Sequence, residues 1–168
     1  MVARRVLGTV LMAAVLTACG AGSGGQPSHP ATTPAGSSPP ASTVAGTTAA
    51  CAQQYHAWQN GPAHSAIINF EAAQEVLDKN SSSGQPALIA ASLNILGQRA
   101  AALASFPVPS CADPRGFFAA LLSQILTVTG EVGPDATLAD LQQAVSQLGS
   151  VFSLESDFTA EVKQTTGT

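Results

Sequence analysis

Two histidines of the chain have side chains suited to metal binding. His56 and His64 lie eight residues apart, so their directions differ by about 80° on an unbroken helix. Helical metal sites favour histidines four residues apart, and Gly61-Pro62 interrupts the helix between these two. Glu71 alone offers a third ligand at a useful spacing. We therefore expect surface or partly buried histidines and no metal site.

Three carboxylates follow at spacings that could serve acid–base catalysis: Glu71, Glu75 and Asp78. A catalytic pair needs surroundings that push the two pKa values apart, and neighbours on one exposed helix face lack them. Lys79, four residues after Glu75, indicates a solvated salt-bridge face instead. The sequence contains no G-x-S-x-G, no phosphate-binding glycine loop and no H-E-x-x-H. We therefore expect no enzymatic activity and no cofactor.

Cys19 ends a run of one aliphatic and two small residues, Leu16-Thr17-Ala18-Cys19. Arg4-Arg5 and an apolar stretch too short to span a membrane, Val6–Leu16, precede it. This pattern resembles the lipobox of bacterial lipoproteins. The resemblance implies cleavage before Cys19, attachment to its thiol of diacylglycerol with fatty chains such as palmitate, and anchoring at the extracytoplasmic face of the cell membrane. An ordinary secretory signal is the alternative, and the arginine pair leaves both the general and the twin-arginine export routes open.

The segment after the lipobox consists almost wholly of Gly, Ser, Thr, Pro and Ala, without a charged residue. Such a segment cannot bury enough apolar surface to offset the entropy of ordering it. We therefore predict a signal peptide over 1–18, a lipid-anchored disordered tether over 19–49, and a folded domain over 50–168. The tether would have a reach of roughly 30 Å.

Length and charge exclude several classes of protein. The chain has 168 residues, which is enough for one folded domain. Six basic against ten acidic residues exclude an electrostatic footprint for nucleic acid. Removal of Arg4 and Arg5 with the signal peptide would make the net charge of −4 more negative by two. Because an anionic membrane surface repels such a domain, the lipid on Cys19 would have to anchor it.

Apolar residues of the folded part repeat at helical spacing, without a convincing two-residue alternation. We therefore predict an all-α, up-and-down bundle of about four helices. The signals are a first stretch from about Ala50 to Lys79 with a break at Gly61-Pro62, a second helix from Pro86 to Leu103, a third capped by Asp113 with Pro114 at its start, and a fourth capped by Thr137 and Asp140 and bent near Gly149.

Cys51 and Cys111 remain as an even pair in an oxidising compartment once Cys19 is acylated. If the first two helices form an antiparallel hairpin, the start of the first lies beside the loop after the second. We therefore predict a disulfide between Cys51 and Cys111, worth about 4 kcal/mol in the chain-entropy model. Two free thiols or a metal-binding pair are the alternatives.

A pattern of cysteine, aromatic, glycine and proline residues runs through the folded part: Cys51-x₃-Tyr55-x₂-Trp58-x₂-Gly61-Pro62-Ala63, then Cys111-Ala112-Asp113-Pro114 and Phe117. It resembles uncharacterised secreted helical domains of high-GC Gram-positive bacteria. That resemblance implies no activity. Tyr55 and Trp58 share a helix face, and we expect both in the core. The alternative is that they line a ligand cleft with Phe106.

Two functions remain compatible with these patterns. The first is a lipid-anchored interaction or accessory module that binds another protein of the cell envelope through a helical face. The second is a protein that binds a lipid or another small apolar ligand in an inter-helix cleft near Trp58. The helix faces resemble ordinary core stripes, without polar residues converging on a pocket, which favours the first. An exposed apolar patch without a cavity would favour it further.

Overall fold

The computed structural model describes residues 42–167, with side chains described from Thr47 onward. Within this range the chain is helical and contains no strand. The predicted all-α fold is confirmed, whereas the predicted signal peptide, Cys19 and the tether up to residue 41 lie outside the described residues. The helices are α1 (Ser42–Asn60), α2 (His64–Ser81), α3 (Pro86–Ala104), α4 (Phe117–Gly130), α5 (Leu138–Val151) and α6 (Ser153–Thr166).

These helices form four arms of a bundle, because α1 with α2 and α5 with α6 are each one arm broken in two. The α2 and α3 helices pack against each other as a hairpin, α4 packs on α3, and α6 lies against both α4 and α1. The predicted bundle of about four helices is therefore confirmed, and the breaks in its first and last arms account for the larger number of helices.

The first arm breaks where the sequence predicted, at Gly61-Pro62. The three residues 61–63 form a turn, and the His64 N–H donates to the Gly61 carbonyl over 3.2 Å. A Cβ at position 61 would collide with the Ala57 carbonyl oxygen, so only glycine fits here. Pro62 removes the N–H that a continuous helix would need.

Three boundaries differ from those predicted. α1 begins at Ser42, so residues 42–49, predicted as tether, are helical; the last proline lies before them, at Pro40. The bend of the last arm lies at Phe152 and not at Gly149, with a backbone ψ of −8° that ends the regular α-helical pattern. The third difference is the start of α4.

The helix α4 begins at Phe117, three residues after Pro114. The chain first makes a turn, in which the Gly116 N–H donates to the Asp113 carbonyl over 3.1 Å. Gly116 has a φ of 72°, which glycine adopts without steric cost. Asp113 still caps the helix as predicted, because its carboxylate accepts the N–H groups of Phe117 (2.8 Å) and Phe118 (3.1 Å).

The remaining predicted caps are confirmed. Pro86 occupies the first turn of α3, and Thr137 and Asp140 form a complete capping box at α5. The core between the arms is aliphatic in its middle. Its largest fully buried apolar side chains are Ile89, Leu93, Leu96, Leu103, Leu121, Ile125, Leu141 and Leu148.

One helix of the described range, α3, is long and apolar enough to cross a membrane by length and composition alone. It supplies seven buried residues to the bundle, so it is a central helix of this core. Core helices that are apolar on most of their faces pass the same test. Apolar side chains also occupy the outer face of α3.

Candidate functional site

Four aromatic side chains meet where α1, α4 and α6 come together: Tyr55, Trp58, Phe118 and Phe158. We call them the aromatic cluster. Tyr55 stacks on Trp58 with ring centroids 5.7 Å apart, and Trp58 meets Phe118 edge-on at 5.8 Å. Phe158 closes the group, 4.8 Å from Phe118 and 6.3 Å from Tyr55. Each ring therefore packs against at least two others.

Phe106 joins this cluster through its backbone. The indole N–H of Trp58 donates to the Phe106 carbonyl over 2.8 Å, and Trp58 is 8% exposed. The structure thus brings together all three residues proposed for a ligand cleft, Tyr55, Trp58 and Phe106. It places Trp58 in the buried core, with its one polar atom already bonded and its ring packed against Tyr55 and Phe118. This is the arrangement expected of core residues.

Tyr55 shows the electrostatic consequence of that packing. Burial raises the pKa of the Tyr55 hydroxyl to about 12, and a hydrogen bond from the Gln59 side chain (3.1 Å) offsets part of the rise. A phenol with so high a pKa stays neutral at physiological pH. Tyr55 is therefore suited to packing and not to proton transfer.

The predicted disulfide is confirmed. Cys51 in α1 is bonded to Cys111 in the loop between α3 and α4, with their Cα atoms 5.7 Å apart. The same loop carries Phe106, so the bond and the Trp58 hydrogen bond hold one loop against one helix. Both cysteines are thereby used for structure.

An ion pair that the sequence analysis missed lies next to this loop. The Arg115 Nε donates to the Glu161 Oε1, and the guanidinium lies 4.6 Å from the centre of the Phe117 ring. The Glu161 side chain is 3% exposed, and its Oε2 has no hydrogen-bond partner in the described part of the chain. Glu161 lies one residue before Val162, on the buried face of α6, and that position in the helical repeat was the available signal.

Asp113 is close to the same carboxylate. Burial raises the pKa of Asp113; the N–H groups of Phe118 and Phe117 lower it, and the hydrogen-bonding contact with Glu161 raises it again. The net direction is upward. Asp113, Arg115 and Glu161 therefore form a charged cluster at the junction of the disulfide loop with α6.

A second feature of the molecule is apolar and exposed. Among the described residues, all of the exposed large hydrophobic side chains lie on α2 and α3: Ile68, Val76, Leu88 and Ile95, each 40–51% exposed. We call these four residues the α2–α3 stripe. Leu88 and Ile95 are seven residues apart and so lie on one face of α3.

A hydrogen bond between the two helices shows how the stripe is arranged. The Asn80 side chain donates to the Ser92 hydroxyl over 2.9 Å. Val76 lies one turn before Asn80, and Ile95 lies one turn after Ser92. Val76 and Ile95 are therefore at a similar level along the α2–α3 pair.

Two shallow grooves lie elsewhere on the bundle. One, of about 240 Å³, lies between the end of α4 and α5, and the other, of about 210 Å³, lies between α3 and α4. Neither is lined by a residue of the aromatic cluster. The first is lined by Val128, Glu131, Val132, Ala136, Asp140, Gln143, Ala144 and Gln147, and the second by Asn94, Gly97, Gln98, Leu126, Thr129 and Gly130.

The other residues considered for chemistry lie on the surface. His56 and His64 are exposed, as are Glu71, Glu75 and Asp78. Between residues 42 and 167, no group of three or more histidine, cysteine, aspartate or glutamate side chains could hold a metal ion.

Glu71 has one neighbour of interest, Glu155 in the first turn of α6. Burial raises the pKa of Glu155, the charge of Glu71 raises it further, and a hydrogen bond with Gln74 opposes the rise. Glu155, like Asp113, has a carboxyl group whose ionised form is disfavoured by its surroundings. It lies where α6 contacts the rest of the bundle.

Comparison of the whole chain with protein-family models, with curated proteins and with solved structures finds no match in any of the three.

Proposed function

We propose that this protein is a lipid-anchored, extracytoplasmic interaction module of the cell envelope, without catalytic activity, which binds a protein partner through the α2–α3 stripe. The lipid on Cys19 would hold the domain at the membrane, and the residues between Cys19 and α1 would act as a tether. The stripe is the observation that carries the proposal, because the exposed large apolar side chains of the described residues all lie on the neighbouring helices α2 and α3, and exposed apolar surface of this kind is typical of protein-binding surfaces.

The contrast with the aromatic cluster supports a partner over a small ligand. Trp58 stacks on Tyr55, meets Phe118 edge-on and donates its N–H to Phe106, so a ligand would have to displace existing contacts. A partner on the stripe displaces only water. Burial of the stripe would remove apolar surface from water at about 25 cal/mol per Å².

Photocrosslinking in cells that make the full chain tests this function. A benzoylphenylalanine at Leu88 in the stripe should give an adduct with a discrete envelope protein, whereas one at the exposed Gln142 on α5 should not. The Leu88 adduct should disappear when Ile95→Glu places a charge in the same stripe. Cys19→Ala should release the chain from the membrane fraction and reduce the adduct.

Each part of this experiment can contradict a separate part of the proposal. Equal adducts from Leu88 and Gln142, or an adduct that survives Ile95→Glu, would contradict the stripe as the binding surface. Full membrane retention of Cys19→Ala would contradict the lipid anchor. Folding of the Ile95→Glu variant is checked by circular dichroism, and we expect it to be normal because Ile95 is exposed.

A further inference from the structure

The contact between α6 and the disulfide loop contains a buried oxygen without a hydrogen-bond donor. Glu161 is 3% exposed; its Oε1 accepts from Arg115, and its Oε2 has no partner among the described residues. A buried carboxylate oxygen without a donor costs free energy, and such groups in native proteins are nearly always satisfied. A donor for Oε2 is therefore expected, and a neighbouring carboxyl group that carries a proton could supply it.

Asp113 is the neighbouring carboxyl group that can carry such a proton. Its carboxyl is in hydrogen-bonding contact with that of Glu161, and both of its oxygens accept backbone N–H groups of α4. Two adjacent carboxylates repel each other when both are ionised, and a single shared proton replaces the repulsion with an O–H···O bond. The Arg115 Nε donates to the Glu161 Oε1, so we place the shared proton on Asp113.

The elements packed around this pair bring few other charges. Helix α4 has no charged residue, and α1 has no ionisable side chains besides Tyr55, His56 and the disulfide-bonded Cys51. The one charge of α5 is Asp140, which caps its own helix. On α6 itself the other charges are Glu155, Asp157 and Lys163. Arg115 is 60% exposed and partly solvated, and it neutralises only one of the two carboxylates.

We propose that Asp113 and Glu161 form a proton-binding site, in which one proton carried by Asp113 is donated to the Glu161 Oε2 and fastens α6 to the disulfide loop. The attachment of α6 then strengthens as the pH falls from neutral. This inference concerns the disulfide loop and α6, not the α2–α3 stripe, and is independent of the proposed function.

The direction of the effect follows from linkage. The pKa of Asp113 in the folded state is raised above its ordinary value of 3.8. The stabilisation is therefore complete below 3.8 and is lost as the pH rises through the higher, folded-state pKa. Glu155, whose pKa is also raised, contributes in the same direction at the first turn of α6.

Helix α6 carries Phe158 into the aromatic cluster, so the proton would affect more than its own site. Loss of the proton restores the repulsion between Asp113 and Glu161, and Glu161 is three residues from Phe158 on α6. Hydrogen exchange of the α6 amides should therefore become faster as the pH rises, after correction for the intrinsic rate, before the amides of α3 respond.

Titration of the Asp113 carboxyl by carbon-detected NMR tests the site directly, using the full chain in a mild detergent. The midpoint should lie above 3.8, and Glu161→Gln should lower it, because the variant removes the neighbouring charge and supplies an amide donor. Glu155→Gln, which removes another carboxylate of the same helix, is the matched control and should leave the midpoint unchanged. A midpoint at or below 3.8, or one that Glu161→Gln does not move, would overturn the proposal.

The dependence of Tm on pH provides a second, independent readout. Between pH 7 and pH 4 the wild-type Tm should receive a contribution of about 4 °C per unit of the Asp113 pKa shift. Asp113→Asn should remove this slope, because an amide N–H replaces the proton at every pH. The variant also loses one acceptor for the α4 N–H groups, but that loss is independent of pH and only shifts the curve. A variant with the wild-type slope would show that Asp113 acts solely as a helix cap.

The Tm measurements stop at pH 4 because the carboxyl group of Asp140 has the opposite effect on stability below that pH. Hydrogen bonds from the Thr137 side chain and backbone lower the pKa of Asp140. The capping box therefore stabilises the protein above the ordinary pKa of 3.8 and is lost as the pH falls through the lower folded-state value.

Discussion

The aromatic cluster and the α2–α3 stripe are both apolar, yet the fold treats them in opposite ways. The cluster contains residue types associated with ligand binding, and its members contact one another, with the Trp58 N–H bonded to the Phe106 carbonyl. The stripe consists of plain aliphatic side chains, and water covers about half of each. Thus the aromatic residues that could have bound a ligand pack against one another in the core, whereas the aliphatic residues of the stripe remain accessible to a partner.

Helix α3 shows the same contrast within one element. Ile89 is fully buried in the core, whereas Ile95, almost two turns later, is 41% exposed. A helix that only had to complete this bundle would carry polar residues on its outer face. Ile95 instead leaves an apolar side chain on the outer face of α3, where the proposed partner would bind.

Breaking the disulfide should have the largest effect on the packed end of the molecule. Cys51→Ser frees a loop of 60 residues and should cost about 4 kcal/mol, or about 12–20 °C in Tm, under oxidising conditions. Thermal unfolding followed by circular dichroism measures the loss.

The matched controls for this prediction use the other cysteine. Cys111→Ser should lose as much stability as Cys51→Ser, and the double variant should lose little more, because all three lack the same bond. An unchanged Tm in either single variant would show that the bond does not hold the loop to α1 in solution.

Trp58→Phe tests the hydrogen bond that joins the aromatic cluster to the same loop. The variant keeps an aromatic ring and leaves the Phe106 carbonyl without its donor, at a cost of about 1–3 kcal/mol. Denaturant unfolding measures the change. Tyr55→Phe is the control: it removes the hydroxyl of the neighbouring ring, and the exposed side of Gln59 can turn to water, so the loss should be smaller. If Trp58→Phe is as stable as the wild type, the Trp58–Phe106 bond contributes nothing.

Much of this architecture could be predicted from the sequence because its signals are local. The break at Gly61-Pro62, the start of α3 at Pro86 and the capping box of Thr137 and Asp140 each depend on neighbouring residues. The disulfide required only the order of the helices and an even pair of cysteines. The start of α4 was misplaced because the turn at Gly116 separates the cap, Asp113, from the helix by three residues.

The features that carry the proposals depend on distant contacts, which the sequence pattern does not specify. Arg115 and Glu161 are 46 residues apart, and only the packing of α6 beside the disulfide loop brings them together. The stripe was equally hard to predict, since Ile95 and Leu96 are adjacent and have aliphatic side chains of the same size. The two side chains point about 100° apart around α3, and Leu96 is buried whereas Ile95 is 41% exposed.

The smallest effect on stability is expected at the stripe, and a matched pair on α3 measures it. Ile95→Ala should change the free energy of unfolding by less than about 0.5 kcal/mol, because the side chain already meets water. Ile89→Ala, the same change two turns earlier in the buried face, should cost about 2–5 kcal/mol. Equal losses of unfolding free energy in the two variants would mean that Ile95 supports the fold. That result would contradict the stripe as a binding surface. A stable Ile95→Ala protein that no longer forms the Leu88 crosslink would separate binding from folding at a single residue.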